Sequence, residues 1–251
     1  MQTAFAFPFK RERVFNMRDF EQGLDQMNRL QSNNITMSVE PTTDGGLQGA
    51  GYTDVIITNN QDPEKNGVPT GRRTTFLTAG VNNSGSKNTG ENVLSLSLSQ
   101  DNLISINDNI YLSYTDSSFM NGNNKVSDPN DPANKHPFKN SLDFLNNDEE
   151  KLKYSKSLYS SLSFPIGYWT INTSLNYSTY KTTNSGQNTT FHTTGQTMTQ
   201  SYSLDKVVYR TQKYKLNIGT ALEIRDTKSY IRDLKSDTGS RQTSSGTIYL
   251  N

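Results

Sequence analysis

Tyr214-Lys215-Leu216-Asn217-Ile218-Gly219-Thr220-Ala221-Leu222-Glu223-Ile224-Arg225 is the stretch whose reading decides the fold. Taken two residues at a time, Tyr214, Leu216, Ile218, Thr220, Leu222 and Ile224 fall on one face of an extended chain. Lys215, Asn217, Gly219, Ala221, Glu223 and Arg225 fall on the other. The same period runs through Leu94-Ser95-Leu96-Ser97-Leu98-Ser99. It returns in Ile110, Leu112 and Tyr114 against Tyr111, Ser113 and Thr115, and in Trp169, Ile171, Thr173, Leu175 and Tyr177 against Thr170, Asn172, Ser174, Asn176 and Ser178. Long strands that are apolar outside and polar inside suit a membrane barrel with a wet lumen. A sandwich that buries its apolar face tolerates a similar alternation, so both readings stay open at this point.

Composition narrows the choice. Hydrophobic residues make up 31% of the 251 and mean hydropathy is −0.77, little for one large dry core. A barrel explains the shortfall, because roughly half of its strand residues face water. Aromatic content of 10% and regular alternation argue against disorder. A net charge of +1 offers nucleic acid no bulk attraction, and with no cysteine there are neither disulfides nor thiolate-bound metals. No apolar run approaches the length of a membrane helix. Met1–Pro8 lacks the basic and apolar regions of a signal peptide. An outer-membrane protein needs an export signal, so either the barrel reading fails or the signal lies upstream of these residues.

The first seventy or so residues have another character. Arg18 to Leu30 reads as a helix with Phe20, Leu24, Met27 and Leu30 on one face, capped by Asn16 with Asp19 as a capping-box partner. Two short strands follow near Ile35–Glu40 and Thr53–Thr58. The reading is a partial α+β module over residues 1–60, a Pro- and Gly-bearing linker over 61–72, and strands from 73 to 251. Strand candidates lie near 74–82, 90–100, 109–119, 155–164, 168–181, 189–205, 207–226 and 241–251. The short connections are Asp101–Asp108, Pro165-Ile166-Gly167 and a turn around Asp205-Lys206. The longer ones are Asn83–Asn88, Asp116–Lys153, Thr182–Asn188 and Thr227–Ser240. Short turns at one rim and long loops at the other is the asymmetry of an outer-membrane barrel.

Four ordered segments carry a family resemblance. Asn16-Met17-Arg18-Asp19-Phe20-Glu21-Gln22-Gly23-Leu24-Asp25-Gln26-Met27-Asn28-Arg29-Leu30 resembles a segment of TpsB-type two-partner secretion transporters, the ShlB/FhaC/HecB hemolysin secretion/activation family. Asn82–Gly90, Ser163–Trp169, and Val207–Arg210 with Lys213 resemble three further segments of that family. The resemblance implies the later part of a second POTRA module followed by the first eight strands of a sixteen-stranded antiparallel outer-membrane β-barrel. It implies a pore, with no catalytic chemistry and no cofactor, that secretes a large exoprotein of hemolysin, adhesin or contact-dependent toxin type. Its partners are then that exoprotein and outer-membrane lipid, the pore is a monomer, and the plug, first POTRA and later strands lie outside these residues. The long Asn- and Asp-rich stretch Asp116–Lys153 departs from the family pattern.

No catalytic arrangement stands out. His136 and His192 have no nucleophile at a telling spacing, and Asp128-Pro129-Asn130-Asp131-Pro132 lacks the Gly and bidentate Glu of an EF-hand. Asp148-Glu149-Glu150-Lys151 reads as a solvated loop. The functional residues expected are of three kinds. Ile35, Thr36, Met37, Ser38 and Val39 form an edge strand to which an extended client can add. Ser97, Ser113, Ser161, Asn172 and Asn217 face the lumen, with Leu96, Leu98, Leu112, Leu216, Ile218 and Leu222 toward lipid. Phe164, Tyr168, Trp169, Tyr209 and Tyr214 form an aromatic girdle at the turn ends, and Tyr114, Phe119, Tyr177 and Tyr180 a second at the loop ends. A diffusion porin or small closed barrel shares the alternation, and so does a secreted adhesive β protein. The porin or closed barrel does not share the Arg18–Leu30 segment.

Overall fold

A computed structural model describes residues 2–8, 16–41, 53–60, 64–65, 68–69, 73–118, 153–185, 190–211 and 213–251. Phe119, His136, Asn188, the acidic candidates at 128–132 and 148–151 and most of the long 116–153 stretch lie outside the described residues. The chain opens with helices α1 (Gln2–Ala6) and α2 (Met17–Asn28) and continues with strands β1 (Ile35–Pro41), β2 (Thr53–Asn59), β3 (Glu64–Lys65), β4 (Val68–Pro69) and β5 (Thr75–Asn82). It goes on through β6 (Val93–Asp101), β7 (Asn109–Asp116), β8 (Tyr154–Ile166), β9 (Trp169–Ser185) and β10 (Thr190–Arg210), then β11 (Lys215–Ile231), β12 (Leu234–Lys235) and β13 (Arg241–Leu250).

Helix α2 begins where the side-chain oxygen of Asn16, itself in extended backbone, accepts the N–H of Arg18 at 3.1 Å. Asp19 does not reach back to complete a capping box; its carboxylate accepts the hydroxyl of Tyr168 instead. Phe20 and Met27 bury with Ala6, Phe7 and Ile35, and Leu24, Met37, Val55 and Ile57 pack around them. Phe7 meets Phe20 edge-on, with ring centroids 6.0 Å apart. The ring of Phe7 occupies the place of a side chain at Gly23, where an added Cβ would lie 2.1 Å from it. Glycine is therefore needed in mid-helix. Strands β1 and β2 pair antiparallel from Ile35↔Asn59 to Pro41↔Thr53, and both Ile35 main-chain groups bond the Asn28 side chain, at 2.6 and 3.0 Å.

Strands β3 and β4 pair with each other, and the remainder is one antiparallel sheet in chain order from β5 to β11, with β12 and β13 pairing further along β11. Since β10 occupies the other side of β11, β12 and β13 share its far edge and amount to one interrupted strand. Sheet positions therefore number eight, as the alternation predicts. The registers fix the faces, because cross-strand partners point the same way. Ser97 pairs with Ser113, Tyr111 with Ser161, Ser163 with Asn172, Asn172 with Ser203 and Val207 with Asn217. One face is thus mainly Ser, Thr, Asn and Gly, with Tyr111, Tyr159, Tyr180 and Val207 among them. Leu96, Leu98, Leu112, Leu216, Ile218 and Leu222 fall on the other.

Four expected connections differ. The first part of Thr182–Asn188 is strand, since Thr182 to Ser185 belong to β9 and pair with Thr193 to Thr190. Asp205-Lys206 is not a turn: both pair inside β10, with Gly219 and Ile218 on one side and Thr170 and Trp169 on the other. Asp205 lies on the polar face, where Tyr249 donates to it at 2.6 Å, and the Lys206 ammonium stands 4.7 Å from the Trp169 ring centre. Polar residues here satisfy a strand rather than break it. The chain instead bulges between Val207 and Tyr209 and turns at Thr211, whose hydroxyl accepts the N–H of Tyr214 at 3.0 Å. The β8–β9 turn is the two-residue Gly167-Tyr168, with Gly167 at φ 58°. Beyond Thr227 the expected loop is partly strand, because β11 runs on to Ile231 and turns at Arg232-Asp233, with φ 50° and 63°.

Candidate functional site

Helix α2 bears a polar stripe beside its apolar one: Gln22, Asp25, Gln26 and Arg29, spaced as helical neighbours. That stripe lies against the turn ends of the sheet. Arg29 donates to Ser163 Oγ and, at 2.7 Å, to the Asn107 carbonyl. Gln26 donates to the Gly167 carbonyl at 3.3 Å and to Thr170 Oγ1 at 3.1 Å. Asn107 in turn donates to the Gln26 carbonyl at 2.5 Å. Arg210 reaches back from the end of β10 to Gln22 at 3.0 Å and to Asp25 at 2.7 Å, and Lys215 reaches Asp25 at 3.4 Å. The Gly167 N–H donates to the Phe5 carbonyl at 2.7 Å, so α1 joins the same dock. The loop before β7 is braced by Asp108, which accepts the N–H groups of Leu103 and Ile104 at 3.1 and 3.2 Å.

The charges there are tuned by these contacts. Burial alone would raise the Asp25 carboxyl, but the Arg210 guanidinium and Lys215 outweigh it and hold Asp25 below the ordinary 3.8. Burial lowers Arg29 below its ordinary value, against the pull of Asp101 and Asp108. Burial and the hydrogen bond to Asp19 push the Tyr168 phenol up to about 12.

Beside the dock, between α2 and the polar face, lies a cavity of about 420 Å³ lined by Gln22, Asp25, Arg29, Thr170, Asp205 and Asn217 among others. From it the polar face continues as hydrogen-bonded rungs: Ser163 to Asn172 at 2.5 Å, and Asn172 to Ser203 at 3.1 Å. Tyr249 crosses Gly219 to reach Asp205; a Cβ on Gly219 would stand 2.2 Å from its ring.

Each expected residue among the described ones has a definite place. Ser97, Ser113, Ser161, Asn172 and Asn217 share the polar face. Phe164, Trp169 and Tyr209 stand on the apolar face near the turn end, paired with Ile171, Ile166 and Leu216. Tyr214 is 73% exposed in the β10–β11 turn. Tyr168 turns toward α2. Tyr114 and Tyr177 keep to the apolar face. Tyr180 does not: its ring covers Gly195 on the polar face. Ile35 is buried while Thr36, Ser38 and Val39 are exposed. His192 shares a hydrogen bond with Thr183 Oγ1 at 3.0 Å. Sequence reasoning missed the dock of Gln22, Gln26, Arg29 and Arg210, although the polar spacing along α2 was open to view.

Comparison with known proteins fits this geometry. The family model for the haemolysin secretion/activation protein ShlB/FhaC/HecB matches residues 51–251. The chain belongs to this family. A POTRA-domain model matches residues 1–41. The outer membrane transporter CdiB of Dickeya dadantii (strain 3937) is 31% identical over 250 residues, which is 99% of this chain and 37% of that protein. The solved structure of CdiB from Escherichia coli superposes with a TM-score of 0.76 at 24% identity, covering 100% of this chain and 38% of that one. CdiB from Acinetobacter baumannii gives 0.70 at 19%, covering 99% and 39%. This ShlB/FhaC/HecB-family chain thus spans somewhat over a third of the length of the relatives it matches, and its sheet has the fold of their barrels.

Proposed function

We propose that this chain forms part of the wall and entrance of an outer-membrane pore that secretes a large exoprotein by two-partner secretion in a Gram-negative bacterium. The observation that carries the reading is a sheet of eight strand positions with largely segregated faces, docked by its turn ends to a helix of the POTRA module. Residues 1–60 serve as the second POTRA module, 61–72 as linker and 73–251 as the first transmembrane strands. The apolar face meets lipid. Ser97, Ser113, Ser161, Asn172 and Asn217 line a water-filled path, and Phe164, Trp169, Tyr209 and Tyr214 sit at the periplasmic interface. On β9, Trp169 and Tyr177 are eight residues apart, about 26 Å along the strand. Tilt brings this to about 20 Å, close to the height of an outer-membrane apolar band.

The client, of hemolysin, adhesin or contact-dependent toxin type, first adds to the edge of β1 that no described strand occupies. The pairing pattern narrows the contact. Both Ile35 main-chain groups are taken by Asn28 on the side away from β2, so Met37 and Val39, two and four residues on, present theirs along the same edge. The pore works as a monomer without cofactor, and it moves a polypeptide without making or breaking covalent bonds. The test is coexpression of the full transporter with an exoprotein. Outer-membrane fractionation, heat-shifted mobility and client in the medium are expected. Client retained in the periplasm beside a correctly inserted barrel would leave a diffusion pore as the better reading.

A further inference from the structure

Charges on the apolar face of the sheet are few, and their placement is uneven. At the loop end stand Asp116, Lys156, Lys181, Asp226, Lys228 and Lys235. Lys156 pairs there with Asp116 at 3.9 Å and Lys228 with Asp226 at 3.5 Å. At the turn end Lys206 is the one charge on this face among the described strand residues. Its cross-strand partners are Trp169 and Ile218, and Ile166, Leu204 and Tyr209 share the face beside them. All five of these side chains are exposed. The Lys206 ammonium sits 4.7 Å from the Trp169 ring centre, and no carboxylate among the described residues pairs with it. Its chain neighbour Asp205 lies on the opposite face, where Tyr249 holds it at 2.6 Å. An indole steadies a cation through its ring but carries no net charge. A lone cation in an apolar belt is costly until an anion meets it.

We propose that Lys206 and Trp169 form a binding site for the phosphate of a phospholipid headgroup, seated at the turn end of the sheet with its acyl chains along the apolar face. The inference rests on the lipid-facing reading of that face. The surroundings favour a lipid over a dissolved anion. Acyl chains cover the exposed side chains of Ile166, Leu204 and Ile218, which a free phosphate leaves wet. A lysine stem lies along apolar surface while its ammonium keeps to headgroup level, the level that Trp and Tyr rings such as Trp169 and Tyr209 also prefer. Recognition is of the phosphate, so it extends to any phospholipid that presents one.

The test titrates phosphatidylglycerol onto the full transporter in non-ionic detergent and counts retained lipid by native mass spectrometry. Lys206→Met keeps the length and apolar stem of the side chain and removes its charge. It is expected to weaken retention about fivefold, the effect of one lysine near an anionic lipid surface. Lys206→Arg and Lys228→Met are expected to match the parent, which ties the effect to charge and to the turn end. Diacylglycerol with the same chains and no phosphate is expected to bind the parent at least as weakly, a readout that needs no variant. Inorganic phosphate is expected not to displace the lipid. Retention unaltered by Lys206→Met, equal binding of diacylglycerol, displacement by inorganic phosphate, or a loss that follows Lys228→Met instead overturns the inference. Outer-membrane fractionation separates the two levels. An inserted, heat-shifted barrel that retains lipid without regard to Lys206 sinks the site and leaves the lipid-facing reading standing, whereas a protein that never enters the membrane sinks both.

Discussion

Gly23 shows how one residue sets the join between helix and module. In an ordinary helix interior, Gly→Ala gains about 1 kcal/mol. Here the new methyl would meet the Phe7 ring at 2.1 Å, and that ring is itself wedged against Phe20. Overpacking of this kind costs about 1–3 kcal/mol, so the clash wins and Gly23→Ala is expected to destabilise. Hydrogen exchange of the α2 amides reads the sign: faster exchange is expected, and slower exchange would show that Phe7 gives way freely. The dock has a pH window that follows from two groups. Tyr168 is raised from 10.0 to about 12, so its contribution is full below pH 10 and is lost as pH climbs through 12. Asp25 is lowered from 3.8, so its contribution is full above 3.8 and is lost as pH falls below that. Tyrosinate absorbance should show a phenol titrating near pH 12 that disappears in Tyr168→Phe. A titration identical in the variant would place Tyr168 free in solvent.

At the level of strands, register turns sequence into faces. Leu112 and Ser113 are neighbours on β7, yet Leu112 pairs with Leu98 and Ser113 with Ser97. Arginine on the lipid face near the midplane costs about 2–4 kcal/mol, and a lumen site tolerates it far better. Leu112→Arg should therefore lose that much in urea unfolding from lipid vesicles, with Ser113→Arg close to the parent. Equal losses would mean that the register has slipped by one residue. The period-two pattern made these faces legible without coordinates, as the 3.6-residue pattern did for α2. Asp205-Lys206 misled, because polarity read alone marks a turn, while a cross-strand tyrosine and a neighbouring indole make both residues at home in a strand. Arg232-Asp233 was missed for the opposite reason: a tight turn with positive φ at two non-glycine residues carries no Gly signal. The dock was half legible. The stripe from Gln22 to Arg29 was visible, but its partners come from three separate connections and their strand ends, β6–β7, β8–β9 and β10–β11, which no local pattern brings together.

For the whole molecule, the sheet's edges decide what these residues can do by themselves. Among the described residues β5 pairs only with β6, and β13 only with β11. Each edge leaves main-chain N–H and C=O groups without ladder partners. In hydrocarbon each such group costs several kcal/mol, so an open sheet does not persist in a bilayer. Pairing β5 directly with β13 would close eight positions into a small barrel, but side chains then fill the interior and leave no path for a polypeptide. The dock with α2 does not relieve this, because it engages turn ends and not the edges. These 251 residues, expressed behind an export signal beside an exoprotein, are therefore expected to leave the medium free of client, whereas a full-length family member in the same host secretes it. Conductance should separate the two ways of failing. A small closed barrel gives a heat-shifted band with little or no current, and an unclosed sheet gives neither and is degraded in the periplasm. Secretion at the level of the full-length transporter would show that the edges find partners in another way, through assembly of several copies around one pore.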